Sequence, residues 1–292
     1  MELHQLRYVV AVAETGGFTR AARRCGVTQP SLSQQVRKLE EELGAALFDR
    51  SSRGAVPTEA GRALLPRARR ILAEVRDTVA GVRGDVEAGF GPLSVGAIPT
   101  IAPYLMPPVL SGFLRDHPEC QLTVREDLTE RLIEAVVDHE LDAAVMSTPV
   151  DHPALHVDVV GREPLLVVAP AGFPLPDRLR AEDLSGEPAV VLHEVHCLGQ
   201  QIADFCSAAR VRRRIVCRGT QLPTVLSLVG LGLGLSIVPE MAARQDTDPS
   251  RVYRPLQGGP EREIAIVRRA DRSVSALCRR FLDLLAGRFA AG

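Results

Sequence analysis

Thr28-Gln29-Pro30-Ser31-Leu32-Ser33-Gln34-Gln35-Val36-Arg37-Lys38-Leu39-Glu40-Glu41-Glu42-Leu43 reads as one amphipathic helix that carries its own start signal. At about 100° per residue, Leu32, Val36, Leu39 and Leu43 fall within a narrow apolar stripe, with Pro30, Gln34, Arg37 and Lys38 on the other side. Thr28 is placed to cap this helix. Pro30 falls in the first turn, where its missing N–H costs nothing.

Upstream, Leu6, Val9, Val10 and Ala13 recur at helical spacing, and Gly16-Gly17 ends that run. Thr19 is expected to cap a short second helix through Ala21, Ala22 and Cys25, and Gly26-Val27 makes a tight turn. A short helix, a glycine turn and a capped helix with a polar outer face form the plan of a helix-turn-helix. Its early residues can enter a major groove, where glutamine and arginine supply what base edges require. The plainer reading is a solvated polar face, but turn, cap and stripe together favour DNA. Downstream, Leu47-Phe48-Asp49-Arg50 and Ala55-Val56-Pro57 flank a turn-rich Ser51-Ser52-Arg53-Gly54, as in a hairpin wing. The DNA-contacting set is therefore Thr28, Gln29, Pro30, Ser31, Ser33, Gln34 and Arg37 on the helix, with Arg50 and Arg53 on the wing for phosphates. Residues 1–75 hold twelve basic and eight acidic side chains, whereas the whole chain has a net charge of -1, so positive charge is concentrated here.

These residues resemble a known family. Phe18-Thr19-Arg20-Ala21-Ala22, Gln29-Pro30-Ser31-Leu32-Ser33, Leu39 to Gly44, Leu47-Phe48-Asp49-Arg50 and Thr58-Glu59-Ala60-Gly61 are similar to the amino-terminal domain of LysR-type transcriptional regulators. The match runs from about residue 3 to 65. From Thr58 to about Ala88, Leu64, Ala68, Ile71, Val75, Val79, Val82 and Val86 then make a long one-sided apolar helix, expected to pair with a partner's copy. Pro66 predicts a kink or a later start, and Gly89, Gly91 and Pro92 a hinge.

Beyond the hinge, short β-rich runs alternate with helical ones. Strands are expected near 93–96, 121–126, 143–146, 165–168, 189–192, 214–217, 235–238 and 263–267, with helices near 103–116, 128–139, 221–230 and 274–288. That alternation argues for an α/β domain. The family resemblance implies two lobes like those of periplasmic binding proteins, lobe I about 93–163 and 264–292 and lobe II about 164–263. The expected organisation is a winged helix-turn-helix over 1–58, a linker helix and hinge over 59–90, and a two-lobed regulatory domain over 91–292.

Val195-His196-Cys197-Leu198-Gly199-Gln200-Gln201-Ile202-Ala203-Asp204-Phe205-Cys206 places two cysteines nine residues apart. In a helix they would be separated by about 13 Å of rise and face opposite ways. A disulfide needs Cα atoms within about 7 Å, so bonding would require this segment to unwind. The pair is a candidate redox switch; the plainer reading is two small buried hydrophobes. The chain's six cysteines include no CxxC pair, which argues against zinc and a disulfide framework.

This stretch, with Gly96-Ala97-Ile98-Pro99-Thr100-Ile101 and Pro103-Tyr104-Leu105-Met106-Pro107, resembles the OxyR, peroxide-sensing branch of the family. The likeness continues through Leu228-Val229, Gly232, Gly234 and Val238-Pro239. It implies that Cys197 attacks the peroxide and Cys206 resolves the product. It also places Thr100, Thr129 and His196 around the peroxide oxygens, and Arg262 as the group stabilising the thiolate. Taken singly, these have plainer readings: a threonine cap, a surface histidine, a solvated arginine. Two positions depart from the branch, Val195 where glycine is common and Gly199 where arginine is. Cys25, Cys120, Cys217 and Cys278 read as structural.

The resemblance further implies double-stranded DNA, RNA polymerase and further copies of the chain, as homodimer or homotetramer, as partners, hydrogen peroxide as signal, and no cofactor. The amino-terminal residues show no signal peptide, no apolar run reaches the roughly 18 residues of a membrane helix, and a cytoplasmic protein that is not an enzyme is expected. Three competitors stand beside this reading. A small metabolite between the lobes could replace peroxide as effector, with inert cysteines. A thiol peroxidase would have no use for a DNA-reading domain, and a transport-associated binding protein would require export.

Overall fold

Glu2 begins the first helix by bonding back to the backbone while Gln5 Oε1 accepts from the Glu2 amide at 2.9 Å. The computed structural model describes residues 1–51, 54–83 and 91–290. Helix α1 (Leu3–Thr15) buries Leu6, Val9 and Val12 and ends at Gly16. In α2 (Phe18–Cys25) the cap position is Gly17, so Thr19 lies inside the first turn and does not cap it. Gly26 follows with φ +68°, the left-handed conformation the turn demands. Thr28 then caps α3 (Gln29–Leu43) by accepting from the Ser31 amide at 3.4 Å. Leu32, Val36 and Leu39 are buried, but Leu43 is exposed because the helix outruns the core beneath it. Strands β1 (Phe48–Ser51) and β2 (Gly54–Pro57) pair antiparallel as the hairpin. Helix α4 (Glu59–Arg83) starts directly after Thr58, whose Oγ1 accepts from the Gly61 amide. Pro66 therefore lies within α4 and no later start occurs; Val86 and Gly89 are outside the described residues. Ile71, Val75 and Val79 leave an apolar row exposed along it.

By contact density the chain divides into two compact units: Met1–Glu87 with Asp138–Glu140, and Ala88–Val137 with Leu141–Gly292. The second is α/β. Strand β3 (Gly91–Ala97), α5 (Ala102–Asp116), β4 (Cys120–Glu126), α6 (Thr129–Val137) and β5 (Ala143–Ser147) form a parallel arrangement with β3 central. Strand β6 (Leu155–Pro170) follows, then β7 (Pro188–Leu192), α7 (Cys197–Ala208), β8 (Arg214–Gly219) and α8 (Leu222–Gly230). The chain continues through β9 (Ser236–Pro239), α9 (Glu240–Gln245), β10 (Arg251–Pro255), β11 (Glu261–Arg269) and α10 (Ala276–Ala290).

The long β6 organises this unit. Residues 155–164 pair with β11, which pairs in turn with β5, while residues 165–170 pair with β9 and β10. One continuous strand thus serves two lobes. One core gathers Leu93, Val95, Phe113, Leu132, Val145 and Phe281; the other gathers Leu165, Val167, Val190, Leu198, Val225 and Val238. Strand β10 escaped the sequence reading because it is short and proline-ended, with only Val252 and Tyr253 apolar. Among the described residues no helix is long and apolar enough to cross a membrane.

Candidate functional site

In the first unit, Leu32, Val36 and Leu39 anchor α3, so its opposite face must look outward. Thr28, Gln29, Pro30, Ser31, Gln34 and Arg37 are all exposed on that face, and Ser33 is half-buried at its margin. One helical surface thus carries hydroxyl, amide and guanidinium groups together. The two strands of the wing pair, but the Arg50 side chain and all of Arg53 lie outside the described residues.

In the second unit, three helices begin around one narrow, tightly packed cleft, lined by Ile98, Pro99, Thr100, Leu128, Thr129, His196 and Cys197. Helix α5 starts just past Thr100, α6 at Thr129 and α7 at Cys197. Helix starts present unpaired N–H groups and the positive end of the backbone dipole, so the cleft favours developing negative charge. Thr100, Thr129, His196 and Cys197, brought together only by family likeness in the sequence, are neighbours here.

His196 is not on the surface but 7% exposed. Its Nε2 lies 2.7 Å from the Thr220 carbonyl oxygen, which can only accept, so that nitrogen carries the hydrogen. Arg262 is not solvated either, at 1% exposure. Its Nε donates to Glu163 Oε1 at 2.6 Å, and its terminal nitrogens donate to Thr100 Oγ1 and the Thr100 carbonyl, both at 3.0 Å. Arg262 therefore meets the cleft through Thr100. Glu163 Oε2 also accepts from the Met241 amide at 3.0 Å. The sequence reading missed Glu163, since nothing marks its pairing with an arginine about a hundred positions later.

Helix α7 contains both cysteines, and their faces differ. Cys197 packs against the first core, and Cys206 is buried in the second. Burial pushes the Cys206 thiol above its ordinary range, with Arg213 nearby opposing this. Gln201 ties the helix down, donating to the Thr148 carbonyl at 2.7 Å and to Ser147 Oγ at 3.3 Å. A Cβ at Gly199 would stand 2.5 Å from the His193 carbonyl oxygen, so α7 lies against the end of β7 as only glycine permits. Val195 is half exposed. All six cysteines are free; Cys278 is buried, and Cys25, Cys120 and Cys217 are half-buried.

Residues 3–62 match the profile of the bacterial regulatory helix-turn-helix protein, lysR family, and residues 88–290 that of the LysR substrate binding domain. The chain belongs to the LysR family. Within it, this regulator lies on the OxyR branch. It is 36% identical over 273 residues to a hydrogen peroxide-inducible genes activator of Dickeya chrysanthemi, covering 92% of this chain and 90% of that protein. A cysteine-to-aspartate variant of full-length OxyR from Pseudomonas aeruginosa superposes with a TM-score of 0.82 at 30% identity, over 99% of this chain and 94% of that one. The LysR-family protein CbnR, solved with its target DNA, is similar at a TM-score of 0.60 and 26% identity, over 99% and 100% of the two chains. Residues 3–62 of this LysR regulator thus form its DNA-binding helix-turn-helix domain.

Proposed function

We propose that this LysR regulator senses hydrogen peroxide through Cys197 and transmits the signal by a bond between Cys197 and Cys206. The observation that carries the reading is Cys197 at the start of α7, in a cleft with Thr100, Thr129 and His196, while Cys206 is buried on the same helix's far side. The Cys197 thiolate attacks one peroxide oxygen, the O–O bond breaks, and hydroxide leaves while sulfur becomes a sulfenic acid. The Cys206 sulfur then attacks the Cys197 sulfur, forming the disulfide; the two thiols lose two electrons in all and the sulfenic oxygen leaves as water. Thr100 and Thr129 supply hydroxyls, His196 is held by Thr220, and the three helix starts stabilise the departing hydroxide. Arg262 acts by fixing Thr100.

The bond cannot close on a formed helix, because nine residues rise about 13.5 Å. Helix α7 must therefore unwind, releasing the Gln201 tether. The division of labour follows: residues 1–58 contact DNA, 59–90 pair subunits through the Ile71, Val75 and Val79 row, and 91–292 sense. As homodimer or homotetramer in the cytoplasm, the protein turns a refolded lobe into a changed promoter footprint, read by RNA polymerase. It is a two-state switch rather than an enzyme. Footprinting with and without peroxide tests this. Wild type should shift its footprint and Cys197→Ser should not; an unchanged peroxide response in Cys197→Ser removes the assignment.

A further inference from the structure

Helix α10 lies against strands β6 and β11, and between them runs a half-open groove with about 390 Å³ of room. Its floor is one face of the strands: Asp158 and Val160 on β6, Ile266 and Arg268 on β11, with Asp158 directly opposite Ile266. Its wall is α10, where Arg279, Leu282, Asp283 and Ala286 recur at three- and four-residue spacing and so share one side. One turn past Ala286 the helix closes onto the strand: a Cβ at Gly161 would lie 2.5 Å from the Phe289 ring. Val160, Ile266, Leu282 and Ala286 make the interior apolar, and the charged groups stand around it. On the strand side they occupy one another, since Asp158 takes His156 Nε2 at 2.7 Å and Arg268 Nε at 3.6 Å. On the helix side they do not. Arg279 and Asp283 are exposed, and neither side chain has a hydrogen bond or ion pair among the described residues. They lie one turn apart, but arginine before the acid is the weaker order for a pair within a helix. Either charge alone would be a solvated surface group; together they flank an apolar groove large enough for a small molecule.

We infer that this groove binds a free α-amino acid with a large apolar side chain, its carboxylate on Arg279, its ammonium on Asp283 and its side chain on Val160, Ile266 and Leu282. A cation and a carboxylate about 6 Å apart along one helix face match the adjacent opposite charges of a zwitterion. The planar guanidinium takes a carboxylate through paired N–H donors, and the aspartate, which can only accept, takes the ammonium. A singly charged ligand satisfies one of the two and is repelled by the other. A polar ligand side chain would lose its water against the apolar floor without gaining a partner there. The groove belongs to a single lobe, apart from the Cys197 cleft, so this inference does not rest on the redox reading.

Saturation-transfer difference NMR follows L-phenylalanine, 3-phenylpropanoate and 2-phenylethylamine on the full-length protein, as wild type, Arg279→Gln, Asp283→Asn and Ala286→Phe, with far-UV circular dichroism confirming each fold. L-Phenylalanine should bind saturably and more tightly than either analogue, and Ala286→Phe, which fills the groove, should abolish that binding. Both anchors are exposed, so Arg279→Gln and Asp283→Asn should each weaken L-phenylalanine about threefold. Arg279→Gln should weaken the acid but not the amine, and Asp283→Asn the amine but not the acid. No saturable binding to wild type, or binding that neither charge substitution weakens, overturns the site. So does binding that survives in folded Ala286→Phe. Should that variant misfold, the two exposed charge substitutions decide alone. Sedimentation velocity of the same two variants without ligand should match wild type; a changed oligomeric state would give the groove to a second copy of the chain and overturn the inference.

Discussion

Glu163→Ala should be the most damaging single change in the regulatory unit outside the hydrophobic cores. Arg262 is 1% exposed and Glu163 6%, and their charged contact is 2.6 Å long. Truncating Glu163 leaves a buried guanidinium with only Thr100 as partner, and strands the Met241 amide. Removing one member of a buried pair costs about 3–5 kcal/mol, a large share of a domain's usual 5–15 kcal/mol. With a urea dependence of about 2 kcal/mol per M, the unfolding midpoint should fall by roughly 2 M. The chain has no tryptophan, so far-UV circular dichroism is the suitable signal. Glu163→Leu with Arg262→Met removes both charges together and should stay within about 1–2 kcal/mol of wild type. A Glu163→Ala loss below about 1 kcal/mol, or a double variant no better than the single one, would refute the claim that this pair fixes Thr100.

Three further outcomes follow from other parts of the molecule. Asp246 is held down to about 2 from 3.8, by its hydrogen bonds from Arg251 first and from Tyr253 next. Its contribution to stability is therefore full above pH 3.8 and lost as pH falls through about 2, so acid unfolding of Asp246→Asn and wild type should differ at neutral pH and converge towards pH 2. Gln34→Ala and Arg37→Ala should each cost about 1–3 kcal/mol of operator binding and relax specificity at one base position, as read by competition binding at fixed salt. Because burial raises the Cys206 thiol, it should remain protonated at neutral pH. Iodoacetamide mapped by mass spectrometry should label Cys206 slowly in the reduced protein and faster once urea exposes it.

The DNA-binding unit was legible almost residue by residue, because caps, turn glycines and stripe are local signals. The exceptions are local too: Gly17 caps α2 instead of Thr19, and Leu43 lies past the core's edge. In the regulatory unit, buried strands such as β5 and β7 were readable from their apolar runs. The first half of β6 was not, since His156, Asp158 and Arg162 hide its pairing with β11. The cleft residues lie about a hundred positions apart, from Thr100 to Cys197, so no spacing rule could join them and family likeness did so. The Glu163 carboxylate and the groove beside α10 left no trace in the sequence, because both arise from packing between distant segments.

The most direct test is peptide mapping of the full-length protein after brief exposure to hydrogen peroxide, without reductant. The account predicts one new crosslinked peptide pair joining Cys197 to Cys206, with Cys25, Cys120, Cys217 and Cys278 still free. If Cys197 and Cys206 remain unlinked while peroxide still alters the promoter footprint, the proposed switch is wrong.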